Sequence, residues 1–377
     1  MRISRLLCLL ALTVAALTVA SSARAEGDWE ITPESQRALR RGLEWLEKNQ
    51  GSEGNWQSND LGLVGMGALA FMADGHAPGR GRYGRAVQRP LDYILRGAKP
   101  QGLLNIADQR RDMYNHGLAT FVLGQAYGMT DDRRLGKTLE KALDLIANTQ
   151  CGDGGWDYVA RRQGRGHDLS LAVMQAKALR SAVDSGLDVR PEVINLAIQS
   201  VREHYSPQRV PYNAPEERQR RVGGQFTYGK GGGGGSLAMA AAGVVCLQEF
   251  GQYDDWRIPK SMEVVEAHIR NLRDPPEGNG EVPFDPYTLN YVGQALYQVG
   301  GDPWARSYPK LRDYIAKTQI DDPDNPRRHG SWRAKGHVGG LPGEMYSTAI
   351  ACFILAMPNR YLPILQEGRI EAFNKPR

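Results

Sequence analysis

Residues 138–158 read TLEKALDLIANTQCGDGGWDY: an amphipathic run, a glutamine at Gln150, a turn containing Gly154, and Trp156 before the next apolar segment. Cys151 beside glycines and Asp153 admits a nucleophile; the pattern as a whole admits punctuation in a repeated fold. Recurrence decides between them. The order Gln, Gly, Trp returns in residues 38–57, ALRRGLEWLEKNQGSEGNWQ, at Gln50, Gly54 and Trp56. It returns again in residues 310–332, KLRDYIAKTQIDDPDNPRRHGSW, at Gln319, Gly330 and Trp332 around an inserted charged loop. Degenerate copies occupy 90–105 with Leu103 at the tryptophan position, 197–228 with Phe226 and Tyr228, and 264–285 with Phe284, which makes six units.

Each turn leads into a second helix, starting near Asp60, Tyr114, Asp168, Ser236, Tyr287 and Tyr346. The first helix of a pair is charged on one side, as in RRLGKTLEKALDLIANTQ; the second is small and apolar nearly all round, as in GSLAMAAAGVVCL and YSTAIACFILA. A helix apolar all round is a buried one. Charged helices outside and small-residue helices inside predict two concentric layers, and six pairs suffice to close a ring.

These turns resemble the QW repeats of squalene and oxidosqualene cyclases, a superfamily that also contains the protein prenyltransferase β subunits. The resemblance covers nearly all of the chain after its first 25 residues. It implies an all-α fold, an (α/α)6 toroid built from six helix-turn-helix repeats, in which Gln and Trp tie an outer helix to the next inner helix. On that footing Gln150 and Trp156 are structural, and all inner helices start around one mouth.

The catalytic signatures of the family are incomplete. No inner-helix start carries the Asp-x-Asp-Asp acid of the cyclases; the cluster Asp321, Asp322 and Asp324 sits in the loop before Trp332. The prenyltransferase zinc site needs an Asp and a Cys two residues apart and a later His. Here Asp168-Leu169-Ser170 puts a hydroxyl where the thiolate belongs, and Tyr346 stands in place of histidine, so neither zinc nor any other cofactor is expected. The residue three after Cys151 is Gly154 rather than Gln, which excludes an internal thioester. Whether the protein is an enzyme stays open, with Asp168, His167, His116 and Tyr346 as catalytic candidates. The ligand-binding candidates are Tyr114, His116, Arg165, Asp168, Arg221, Tyr287 and Arg333. They combine polar groups at inner-helix starts with arginines of the basic loops entering the third, fourth and sixth inner helices, where helix N-termini add positive potential. The glycine run before Ser236 reads as a flexible entry to a helix capped by that serine, with no strand evident and without Walker A order.

Residues 1–25 join a basic MRISR, an apolar run and SSARA, the pattern of a signal peptide cleaved near Ala25, which predicts an exported protein, periplasmic or extracellular, with 26–377 as one toroid domain. The apolar run is shorter than the roughly 20 residues that span a bilayer, so the protein is expected not to span one. Losing Arg2, Arg5 and Arg24 and no acids lowers the net charge from +5 to +2, and no long basic block favours a nucleic-acid partner. Three cysteines remain, Cys151, Cys246 and Cys352, enough for at most one internal disulfide. The leading expectation is an exported toroid that binds an isoprenoid or other lipid-like ligand in a central cavity. The alternatives are an envelope scaffold or protein-binding ring, and an enzyme on envelope polysaccharide, which needs facing carboxylates from Asp60, Asp168 and Glu344.

Overall fold

A computed structural model describes residues 29–336 and 343–366, and the expected signal peptide lies outside them. Helices pair along the chain: α1 (Pro33–Lys48) with α2 (Leu61–Ala73), α3 (Gly84–Gly97) with α4 (Asp112–Tyr127), and α5 (Arg133–Thr149) with α6 (Leu169–Asp184). After α7 (Pro191–Arg202) comes an insertion of β1 (Tyr205–Pro207), the short α8 (Glu216–Arg220), β2 (Gly224–Gly229) and β3 (Gly233–Gly235), which leads into α9 (Leu237–Glu249). Then α10 (Arg257–Arg270) pairs with α11 (Pro286–Val299), and α12 (Gly301–Thr318) with α13 (Gly343–Ala356). The all-α class holds with one exception. The glycine run forms an antiparallel hairpin, Thr227 opposite Gly235, and β1 adds to it with Tyr205 opposite Phe226. Strands were missed there because glycines carry no alternating pattern to read.

The first helix of each pair buries one face; the second is buried almost all round, every residue of α2 and all of Met345–Ala356 in α13. The buried helices pack on one another in order: α2 on α4, α4 on α6, α6 on α9, α9 on α11, α11 on α13, and α13 on α2. Small residues permit the close approach: a Cβ on Gly117 of α4 would lie 2.7 Å from the Cβ of Met174 on α6. Asp60, Asp168, Ser236 and Asp285 cap four of these helices through side-chain bonds to Leu63, Ser170, Met239 and Thr288 N–H groups.

The Gln-Gly-Trp turns act through backbone. Gln150 Nε2 donates to Gly154 O (3.0 Å) and to Val193 O of α7 (2.8 Å), while the Trp156 indole donates to Ile146 O of its own α5 (2.9 Å). Gln50 reaches Ala86 O of α3 (2.6 Å), and Gln319 reaches Ala38 O of α1 (2.7 Å). The glutamine therefore ties one charged helix to the next charged helix, not to the next buried one as the resemblance implied. Gly154 holds φ +82°, and a Cβ there would lie 2.2 Å from Leu196 O, so both the turn and the approach require glycine.

Units without the motif find substitutes. In unit two His116 does the tying: Leu104 N–H donates to its Nδ1 (3.2 Å) and its Nε2 donates to Ala142 O of α5 (3.0 Å). In unit four Phe226 packs on Gly243 of α9 as Trp56 packs on Gly67 of α2. The end away from the caps is covered by the chain after α13: Ile364 N–H donates to Gln125 Oε1 (3.1 Å) and Asn359 donates to Asp74 (2.9 Å). Cys151, Cys246 and Cys352 are buried free thiols. Among the described residues no helix is long and apolar enough to cross a membrane.

Candidate functional site

At the capped ends of the buried helices lies a pocket of about 220 Å³. Asp60 caps α2 at its edge; Tyr114 comes from the first turn of α4, Tyr287 from that of α11 and Tyr346 from that of α13. Its apolar wall is Leu63 in the first turn of α2, with Leu118 and Met174 in the second turns of α4 and α6. Behind Met174 the space is filled: Tyr291, fully buried, donates its hydroxyl to the Met174 sulfur (3.3 Å).

The polar groups differ in how they are satisfied. Asp60 accepts from Leu63 N–H (3.2 Å) and from Arg111 Nη1 (2.8 Å), and the Asn115 amide adds a third bond. Burial nevertheless raises its carboxyl above the ordinary range, with those bonds pulling the other way. The Tyr114 hydroxyl bonds the Ser170 hydroxyl, which in turn donates to Asp168; Asp168 also accepts from Tyr158 (2.6 Å) and lies 3.1 Å from His167 Nδ1. A hydroxyl relay thus runs from the pocket to a carboxylate outside it. Burial first, and the Asp168 charge second, push Tyr114 far above the usual phenol value, which keeps it a neutral donor. Tyr287 is different. Its ring is 4 % exposed, its pKa is raised well above the ordinary value by burial, and its hydroxyl has no partner among the described residues. Comparison of the sequence with known proteins returned no matching family model and no curated protein that is significantly similar.

The sequence candidates are therefore dispersed. Tyr114, Tyr287 and Tyr346 converge on the pocket, and Asp168 reaches it through Ser170. His116, fully buried and pushed down to about 4 by burial, spends both ring nitrogens on the joint to α5 and does not line the pocket. His167 is exposed beside Asp168. Arg165 lines a different cleft, and Arg221 and Arg333 are exposed away from the pocket lining. The arginines at the pocket are Arg110 and Arg111, which the sequence reading did not single out; their place just before α4 was the available signal. The three acids needed for polysaccharide chemistry do not face one another as free groups: Glu344 pairs with Arg328 (3.0 Å), Asp60 with Arg111, and only Asp60 lines the pocket.

One further feature escaped the sequence. Lys177 on α6 is fully buried, its Nζ lies 4.0 Å from the Phe121 ring centroid with no hydrogen bond among the described residues, and burial lowers its pKa while raising that of buried Glu249 on α9. A lysine inside LSLAVMQAKALRSAVD reads as a solvated position only when the helix is taken to have a polar face.

Proposed function

We propose that the chain is an exported (α/α)6 toroid of the squalene cyclase and prenyltransferase kind that binds the oxygen-bearing head of an isoprenoid or other lipid-like molecule in the pocket at its helix starts. The contact of α13 with α2 and the Gln319 joint back to α1 support a closed ring; the N-terminal sequence supports export. The observation that carries the ligand reading is the Tyr287 hydroxyl, buried, without a partner among the described residues, and lining the pocket. A buried donor left unmade costs about 1–3 kcal/mol, which a ligand oxygen relieves. Helix N-termini and Arg111 favour an anionic or strongly polarised head. A volume of about 220 Å³ falls below the roughly 300–1,000 Å³ of drug-sized sites. It suits a head group or a short apolar segment, not a whole triterpene. Cyclase or zinc chemistry is not part of this reading, and Asp60 and Tyr114 serve as binding groups.

Calorimetric titration with prenyl diphosphates, fatty acids and neutral isoprenoids tests it. The charged ligands are expected to bind, and Tyr287→Phe to weaken them roughly three- to tenfold, in line with about 0.5–1.5 kcal/mol for one hydrogen bond. The filled space behind Met174 favours a second reading, a scaffold ring without a ligand; it replaces the first if no member of the panel binds.

A further inference from the structure

A second cleft, of about 630 Å³, opens where unit four carries its insertion, and it shares no lining residue with the pocket at the helix starts. Four cations line it, Arg165, Arg202, Lys230 and Arg257, against two carboxylates, Asp153 and Glu203. Both carboxylates are already engaged by Lys230, whose Nζ lies 2.8 Å from each. Behind this wall the buried Asp255 receives Arg202 (2.8 Å) and Arg257 (3.0 Å), and Glu216 lies 3.8 Å from Arg257 as well, which fixes both guanidinium groups in place. What remains unmatched is donors. Among the described residues the Arg257 Nε–H is buried without an acceptor, and the Tyr205 hydroxyl, on a residue 3 % exposed, has no partner. Arg165 forms no hydrogen bond or ion pair among the described residues.

Unmade donors in a net positive cleft select a ligand rich in acceptors and negatively charged. Its shape follows from the aromatic groups. Tyr212, 59 % exposed, lies with its ring against Gly231, where a Cβ would sit 3.5 Å from it, and its exposed side is open to a flat partner. The surface continues past Arg202 and Arg257 into an adjoining hollow of about 450 Å³ beside Trp256, lined by Arg220 and also by Glu216, Asp254 and Asp255, so the two hollows offer more room than a single ion fills while the positive end is the one at Arg165. We propose that this cleft binds an acidic sugar chain, a carboxylated oligosaccharide, with carboxylates on the free donors of Arg165 and Arg257 and a sugar ring against Tyr212.

The test is calorimetric titration of the purified chain with a galacturonate tetramer, a glucose tetramer and inorganic phosphate. The galacturonate tetramer is expected to bind, more weakly as salt rises, and the glucose tetramer and phosphate at least tenfold less tightly. Arg165→Ala and Tyr212→Ala, both at exposed positions, are expected to lower galacturonate affinity at least fivefold each while leaving the melting temperature unchanged. Tyr287→Phe in the other pocket should leave it unaffected. Absence of galacturonate binding, equal binding of the glucose tetramer, binding of phosphate as tight as that of the tetramer, or indifference to both cleft variants overturns the proposal.

Discussion

Units three and four stand side by side and are joined to their neighbours by different chemistry. In unit three the Gln-Gly-Trp turn uses neutral groups, Gln150 and Trp156 donating only to backbone carbonyls within or one helix beyond their own turn, with the Asp153–Lys230 pair (2.8 Å) added at its edge. Unit four replaces them with a sheet, with Phe226 in the tryptophan's place, and with Arg202, which donates to Asp255 (2.8 Å) and Gln252 (2.9 Å) ahead of α10. A joint made to backbone is local and closed. The joint made of side chains opens a cleft and leaves donors unmatched. In this fold the regular turns hold the structure together, and the departure from regularity is where the second cleft opens.

The largest expected effect tests whether the two aromatic rings are equivalent. Trp156→Ala and Phe226→Ala should each cost about 3–5 kcal/mol, as removal of a fully buried aromatic does, measured by urea unfolding. A cost below about 1 kcal/mol for Phe226→Ala alone would show that unit four is held by its ion pairs instead.

A somewhat smaller effect separates neutral joints from titratable ones. Burial holds His116 down to about 4 in the folded chain, against about 6.5 when unfolded. As pH falls, the unfolded chain takes up that proton first. Stability from this group is therefore present above about pH 6.5 and lost between about 6.5 and 4, amounting to about 3 kcal/mol. His116→Gln should flatten that part of the stability profile, whereas Gln150→Ala should leave its shape unchanged. Equal acid slopes in parent and His116→Gln proteins would exclude His116 as the titrating joint. Smallest is the Gln150→Ala effect itself: it leaves the Val193 carbonyl short of a donor and should cost about 1–2 kcal/mol, read as a shift in urea midpoint.

The fold was legible where one segment contained its whole signal. Gln150, Gly154 and Trp156 lie within seven residues and repeat in Gln50 and Gln319 copies, and the capping acids Asp60 and Asp168 stand directly before runs of buried residues. Where partners come from distant segments, spacing carried nothing. His116 meets Ala142, Arg202 meets Asp255, and Lys177 approaches Glu249 only once the helices are packed. The same limit governed the site. Tyr114, Tyr287 and Tyr346 could be named from their places at helix starts, but Arg165, Arg221 and Arg333 could not be positioned, because a basic loop does not disclose the direction in which its side chains fold. Arg111 was hidden for the opposite reason, being one arginine among several until its bond to Asp60 singles it out.

The bond from Gln319 to Ala38 joins positions 281 residues apart, and it bears on how the chain is made. During synthesis α1 and α2 precede the other described helices, yet α13, more than two hundred and fifty residues later, packs on both, and α12 packs on α1 as well. For nearly the whole of translation the nascent chain therefore carries an open seam of apolar surface, sealed in a late, long-range closure of the slow kind. Because the sealing joint is built like those of units one and three, a chain circularly permuted at a loop between two units would move the seam without changing its chemistry.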